Sequence, residues 1–95
     1  MHKFIIFGNY TDKGIKNIKD SPARLSTAKE LAKEFDGTIS SFYLTLGHYD
    51  IFLTCEFPND EKAAKFTIKL GSLGNVRTST LKAFTEEEFK RITER

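Results

Sequence analysis

The order in which hydrophobic spacing switches between two and three-to-four residues leaves this chain few possible folds. Residues 3–10 are rich in β-branched and aromatic side chains and run into Gly8-Asn9, which predicts a strand. Thr11-Asp12 can cap a short helical turn carrying Ile15 and Ile18. Ser21-Pro22 restarts the helix, with Ser as the cap and Pro at the first helical position, where no N–H is needed. Leu25, Ala28, Leu31, Ala32 and Phe35 follow at helical spacing, and Asp36-Gly37 ends the run with a residue able to take positive φ.

Residues 38–46 return to period two, with Phe42, Leu44 and Leu46 on one face. Gly47-His48 is the expected turn, and residues 49–57 form the hairpin partner, with Ile51, Leu53, Cys55 and Phe57 on one face. Pro58-Asn59-Asp60-Glu61 opens a second helix, its acids suited to the positive end of the helix dipole. Its inner stripe is Ala63, Phe66, Leu70 and Leu73, and Gly74 ends it. Residues 76–84 give a fourth strand. Thr85-Glu86-Glu87-Glu88 is a capping box for a terminal helix, with Phe84 able to staple onto Phe89. Glu86–Lys90 and Glu87–Arg91 stand four apart in the favourable order.

The order β-α-β-β-α-β plus a terminal helix is the ferredoxin-like α+β arrangement, one domain over residues 1–95. Right-handed crossovers set the antiparallel strand order 4-1-3-2 and put both crossover helices on one face. The other face should be polar in a monomer. Yet Phe4 and Ile6 point one way and Ile5 and Phe7 the other, and Phe52 opposes Ile51 and Leu53. Both central strands are apolar on both sides, and an open apolar face marks an interaction surface. A second copy is the expected partner, giving a homodimer or higher homo-oligomer. The alternative is that the terminal helix folds back over its own sheet, with Phe89 and Ile92 as its apolar contribution.

Charge excludes some roles. Lys and Arg total 15 against 13 acids, a net charge of +2, so there is no electrostatic case for nucleic acid or an anionic membrane. The first strand superficially resembles an RNA-recognition motif, but its stacking position is Ile6 rather than an aromatic residue. The longest apolar run, Phe4-Ile5-Ile6-Phe7, falls far short of the ~20 residues that span a bilayer. With an unpaired thiol at Cys55 and no export signal, the expected compartment is the cytoplasm.

Gly47-His48-Tyr49-Asp50 resembles the Gly-x-Tyr-Asp signature of the GYD domain family. The ordered segments around it agree: Thr11-x-x-Gly14, Lys19-Asp20-Ser21-Pro22-x-Arg24, Ser41-Phe42-Tyr43-Leu44-Thr45-Leu46-Gly47, Glu56-x-Pro58-x-Asp60 and Gly71-Ser72-Leu73-Gly74-Asn75-Val76-Arg77-Thr78. The resemblance covers residues 4–89 and implies the fold of the dimeric α+β barrels. His48 occupies the variable position of the signature, so the resemblance assigns it no role.

The topology gathers Tyr10, Lys13, Lys19, Arg24, His48, Tyr49, Asp50, Asn75 and Arg77 at one edge of the sheet. One acid among several bases near a helix N-terminus suits a small anionic ligand, with Lys19, Arg24, Tyr49, Asp50 and Arg77 as candidate contacts. Against that stands a structural role, in which Asp50 pairs with Arg77 or Arg24, or accepts backbone N–H bonds, and fixes the hairpin. His48 and Asp50 could share a strand face, the acid orienting the imidazole for catalysis. Cofactor-free oxygenases and isomerases occur on dimeric α+β barrels, an analogy of fold. No metal or cofactor is expected: His2, His48 and Cys55 lack ligand spacing, and Gly71 and Gly74 lack a phosphate-loop context. Cys55 should be a buried, inert thiol. The sequence therefore points to a non-catalytic homo-oligomeric module for small-ligand binding or assembly. A small cofactor-independent enzyme with a pocket near Tyr49 and Asp50 is the alternative.

Overall fold

The computed structural model describes residues 1–94. Its elements are β1 (His2–Tyr10), α1 (Asp12–Lys16), a 3₁₀ turn (Ile18–Asp20), α2 (Ser21–Glu34), β2 (Thr38–Leu44), β3 (Ile51–Phe57), α3 (Asp60–Ser72), β4 (Val76–Ala83) and α4 (Glu86–Thr93). The four strands pair antiparallel in the order β2-β3-β1-β4, the predicted 4-1-3-2 sheet of the ferredoxin-like fold.

Register explains the two-faced sheet. Phe4 lies opposite Cys55 and Ile6 opposite Leu53, and all four are buried in the core. Ala28, Leu31 and Ala32 of α2 and Ala63, Phe66 and Leu70 of α3 complete that core. Phe57 and Phe66 have no exposure, with ring centroids 5.1 Å apart; burial of each contributes about 1.5–3 kcal/mol. Gly37 permits this, since a Cβ there would sit 2.3 Å from the Phe57 ring. The positive φ that ends α2 falls one residue earlier, on Asp36 (φ 61°). The Gly37 and Asp36 N–H groups donate to the Ala32 and Lys33 carbonyls, the paired closure of a Schellman motif.

Three helix starts follow the sequence. The Thr11 hydroxyl oxygen accepts the Gly14 N–H, Asn59 accepts the Lys62 N–H, and the Thr85–Glu88 box closes in both directions. Ser21 departs from expectation. The 3₁₀ turn runs straight into α2, so Asp20 occupies the cap position in helical backbone and Ser21 is already in the helix. The Ser21 hydroxyl is thereby released to meet the Tyr10 hydroxyl at 3.0 Å.

The hairpin also differs. β2 stops at Leu44 and β3 begins at Ile51, so residues 45–50 form a loop in place of a tight Gly47-His48 turn. The Asp50 N–H donates to the Gly8 carbonyl and to Asn9 Oδ1, which draws it toward β1 and out of a continuing ladder with β2. The Thr45 N–H and hydroxyl then close the loop onto the Asp50 and Tyr49 carbonyls. A register shift between Ile39 and Ser41 turns both Ile39 and Phe42 against the core. Leu44 and Leu46, expected inward with Phe42, are 69% and 100% exposed, because the helices do not cover this end of the edge strand.

On the outer face, Phe7 stacks on Tyr49 at 4.9 Å and meets Phe52 edge-on at 5.1 Å, and Tyr43 lies 6.2 Å from Phe52. Ile5 pairs with Leu81 beside them. α4 does not fold back over this cluster. It buries no residue; Phe89 and Ile92 stay more than half exposed, and Phe84 and Phe89 are not among the paired rings of the described residues. Its Glu86–Lys90 and Glu87–Arg91 pairs form as predicted, at 3.5 and 3.8 Å.

Candidate functional site

Between α2, the C-terminal end of α3 and the inner face of the sheet lies a cavity of about 270 Å³. α2 contributes Leu25, Thr27 and Ala28, the sheet contributes Phe42, Ile51, Leu53 and Val76, and α3 and its exit contribute Leu70 and Leu73. The polar lining consists of Tyr10, Ser21, Arg24 and Asn75, together with Thr27. It is an apolar chamber with a few polar groups, the common composition of a small-molecule site.

Its rim is tied together by hydrogen bonds between distant segments. The Thr11 hydroxyl donates to the Gly74 carbonyl at 2.6 Å, the Thr11 N–H to the Asn75 carbonyl at 3.1 Å, and Lys13 Nζ to the Leu73 carbonyl at 3.2 Å. Gly14 packs so closely beneath this junction that a Cβ would fall 2.0 Å from the Asn75 oxygen. Arg24 Nη2 donates to the carbonyls of Gly14 and Asn17, at 3.1 and 3.2 Å, fastening α1 to α2.

The structure separates the residues that the sequence places at one edge. Of Lys19, Arg24, Tyr49, Asp50 and Arg77, Arg24 lines the cavity. Lys19 is exposed in the 3₁₀ turn. Tyr49 stacks on Phe7 on the outer face, and Arg77, paired with Asn9, is exposed on β4. Asp50 sits between the two sides, and its Oδ2 accepts the Tyr10 N–H at 3.0 Å. Of the two structural roles the sequence leaves open for Asp50, a backbone N–H partner or pairing with Arg77 or Arg24, this is the backbone one, because the loop brings Asp50 against the end of β1. Nor does Asp50 orient His48. That imidazole is exposed on the loop, edge-on to the Tyr49 ring at 5.0 Å.

The apolar lining went unrecognised as a site in the sequence. Its one visible signal is that Leu25 and Leu73 lie at the ends of otherwise buried helical stripes. Leu73 is 42% exposed, where its stripe predicts burial. Ser21 and Tyr10 carry no local signal at all, since their contact spans two elements.

Other titratable groups lie away from the cavity. Burial, with Glu56 adding a like charge, pushes the Cys55 thiol up to about 12, so it stays protonated and inert as expected. Among the described residues no group of three or more His, Cys, Asp or Glu is placed to hold a metal ion. No described helix is long and apolar enough to cross a membrane.

Known proteins resemble the chain at two levels. The glutamine synthetase and cystathionine beta-lyase binding protein of Thermus thermophilus is 31% identical over 84 residues, covering 87% of this chain and 88% of that protein. The feast or famine regulatory protein of M. tuberculosis complexed with L-methionine superposes with a TM-score of 0.68 at 18% identity. That match covers 90% of this chain and 51% of the regulator, so the chain spans about half of it. A 5-chloro-2-hydroxyhydroquinone dehydrochlorinase of Burkholderia phenoliruptrix AC1100, complexed with 2,5-dihydroxybenzoquinone, superposes with a TM-score of 0.62 at 17% identity, covering 90% and 96% of the two chains. At such identities these two structures speak for the fold alone. The GYD domain model matches residues 4–93, and on that match over nearly its whole length the chain belongs to the GYD domain family.

Proposed function

We propose that this chain is a cytoplasmic, self-associating module that holds a small ligand between its helices and its sheet. The observation that carries the reading is the 270 Å³ apolar cavity with its few convergent polar groups. Its lining holds the Ser21 and Tyr10 hydroxyls, 3.0 Å apart, but no His, Asp, Glu or Lys to activate Ser21 as a nucleophile, which favours binding over catalysis. On the cavity side Arg24 addresses the ligand, while Lys19 lies outside the lining in the 3₁₀ turn. Tyr49 and Arg77 belong to the outer face, where the Phe7–Phe52–Tyr43 cluster supports packing against a second copy. Asp50 couples the two sides.

Native mass spectrometry of protein purified from its own cells tests the reading. The expected spectrum is a homo-oligomer retaining a small non-covalent adduct, lost on denaturation. An adduct-free monomer would overturn it.

A second reading rests on the Thermus relative, whose name describes a protein that binds two enzymes. If the outer face serves protein partners, glutamine synthetase or cystathionine beta-lyase from the same cells should co-purify with the tagged chain. An Ile5→Asp variant should lose them.

A further inference from the structure

The lining of the cavity contains one cation. Arg24 is the sole charged residue in the lining, and among the described residues no carboxylate pairs with it. A half-buried guanidinium against an apolar wall pays a desolvation cost that an anion offsets. The Gly14 and Asn17 carbonyls take both N–H groups of Nη2 and fix the plane of the fork. The N–H groups of Nη1 and Nε make no hydrogen bond among the described residues; they diverge, so each can give a carboxylate oxygen one charge-assisted bond rather than a two-pronged fork.

Size and neutrality narrow the ligand further. An engineered cavity of about 150 Å³ takes benzene. The 270 Å³ here therefore suits about ten non-hydrogen atoms by the same measure. Apart from the Phe42 ring, the apolar lining, Ile51, Leu53 and Leu70 among it, is aliphatic. No acid lines the cavity, so an α-ammonium group would enter without a counter-charge. Resting on the reading of this cavity as a ligand site, we propose that it takes a compact monocarboxylate with an apolar body and no amino group. Arg24 holds the carboxylate, and the aliphatic wall holds the body.

Isothermal titration of the full chain with matched probes tests this. 4-Methylpentanoate and 3-phenylpropanoate are expected to bind at least about ten-fold more tightly than 4-methylpentanamide or leucine, the usual margin for a charge-assisted pair. Arg24→Gln should erase the preference for acid over amide, and Leu25→Phe, which fills the chamber, should abolish binding of both. Equal affinity for acid and amide would overturn the carboxylate assignment and leave the ligand cavity standing. So would tighter binding of leucine. Binding of none of these probes, with the cellular adduct unaltered in Leu25→Phe, would overturn the cavity reading itself. The acid–amide comparison on the unaltered protein keeps the proposal falsifiable if Arg24→Gln fails to fold, since that residue also fastens α1.

Discussion

Asp50 binds two parts of the chain through both its backbone and its side chain. Its N–H reaches Gly8 and Asn9, its carbonyl accepts from Thr45, and its carboxylate accepts from Tyr10. The need for a partner was legible in the sequence, where one acid stands among several bases. Which partner was not, because a carboxylate accepts from a backbone N–H as readily as from arginine, and only the length of the hairpin loop decides which is in reach. Asp50→Ala strands the half-buried Tyr10 N–H and should lower stability by about 1–3 kcal/mol. Asp50→Asn keeps an oxygen acceptor and should cost less. Urea unfolding checks the ranking, and an Asp50→Ala curve superimposed on the parent would refute the anchor role.

At the scale of elements, the helices were the most legible, since the burial of α2 and α3 follows a stripe and the starts of α1, α3 and α4 carry side-chain caps. β2 was less so, because the single-residue register shift beside Ile39 depends on how Phe42 and Ile39 meet the core, which alternation alone cannot express. α4 is the opposite case: its capping box was fully legible, while its failure to pack on its own sheet was not. The Thr85 N–H, reinforced by the Thr85 hydroxyl, holds the Glu88 carboxyl below the ordinary glutamate range. Because the folded value is depressed, the capping contribution is present above the unfolded glutamate value of about 4.3 and is lost as pH falls through the lower folded one. Amide protection factors across residues 86–93, taken relative to the intrinsic exchange rate at each pH, should therefore fall on acidification before the sheet opens. Glu88→Gln retains the reciprocal bond and should reduce that acid sensitivity. Protection factors in the parent that do not change with pH would refute the Glu88 contribution.

For the whole molecule, the two-faced sheet was the strongest inference available from the sequence, and the register places Ile5 and Phe7 outward and Phe4 and Ile6 inward. The cavity was not legible. It is space left where α2 and the end of α3 do not close over Ile51 and Leu53, and hydrophobic period reports which side chains face inward rather than how tightly they meet. If the outer face packs against a second copy, Ile5→Asp buries an unpaired charge there and should convert an oligomer to a monomer at micromolar concentration. Sedimentation velocity reads this directly, and an unchanged sedimentation coefficient would place the interface elsewhere.

In the function we propose, one face of the sheet binds a ligand while the other meets a second copy. Methyl-labelled NMR titration with 4-methylpentanoate tests both halves at once. The expected shifts fall at Leu25, Leu53, Leu70 and Val76, which line the cavity, with the Ile5 and Leu81 methyls of the outer face unmoved. Shifts confined to Ile5 and Leu81, with the cavity methyls still, would contradict it.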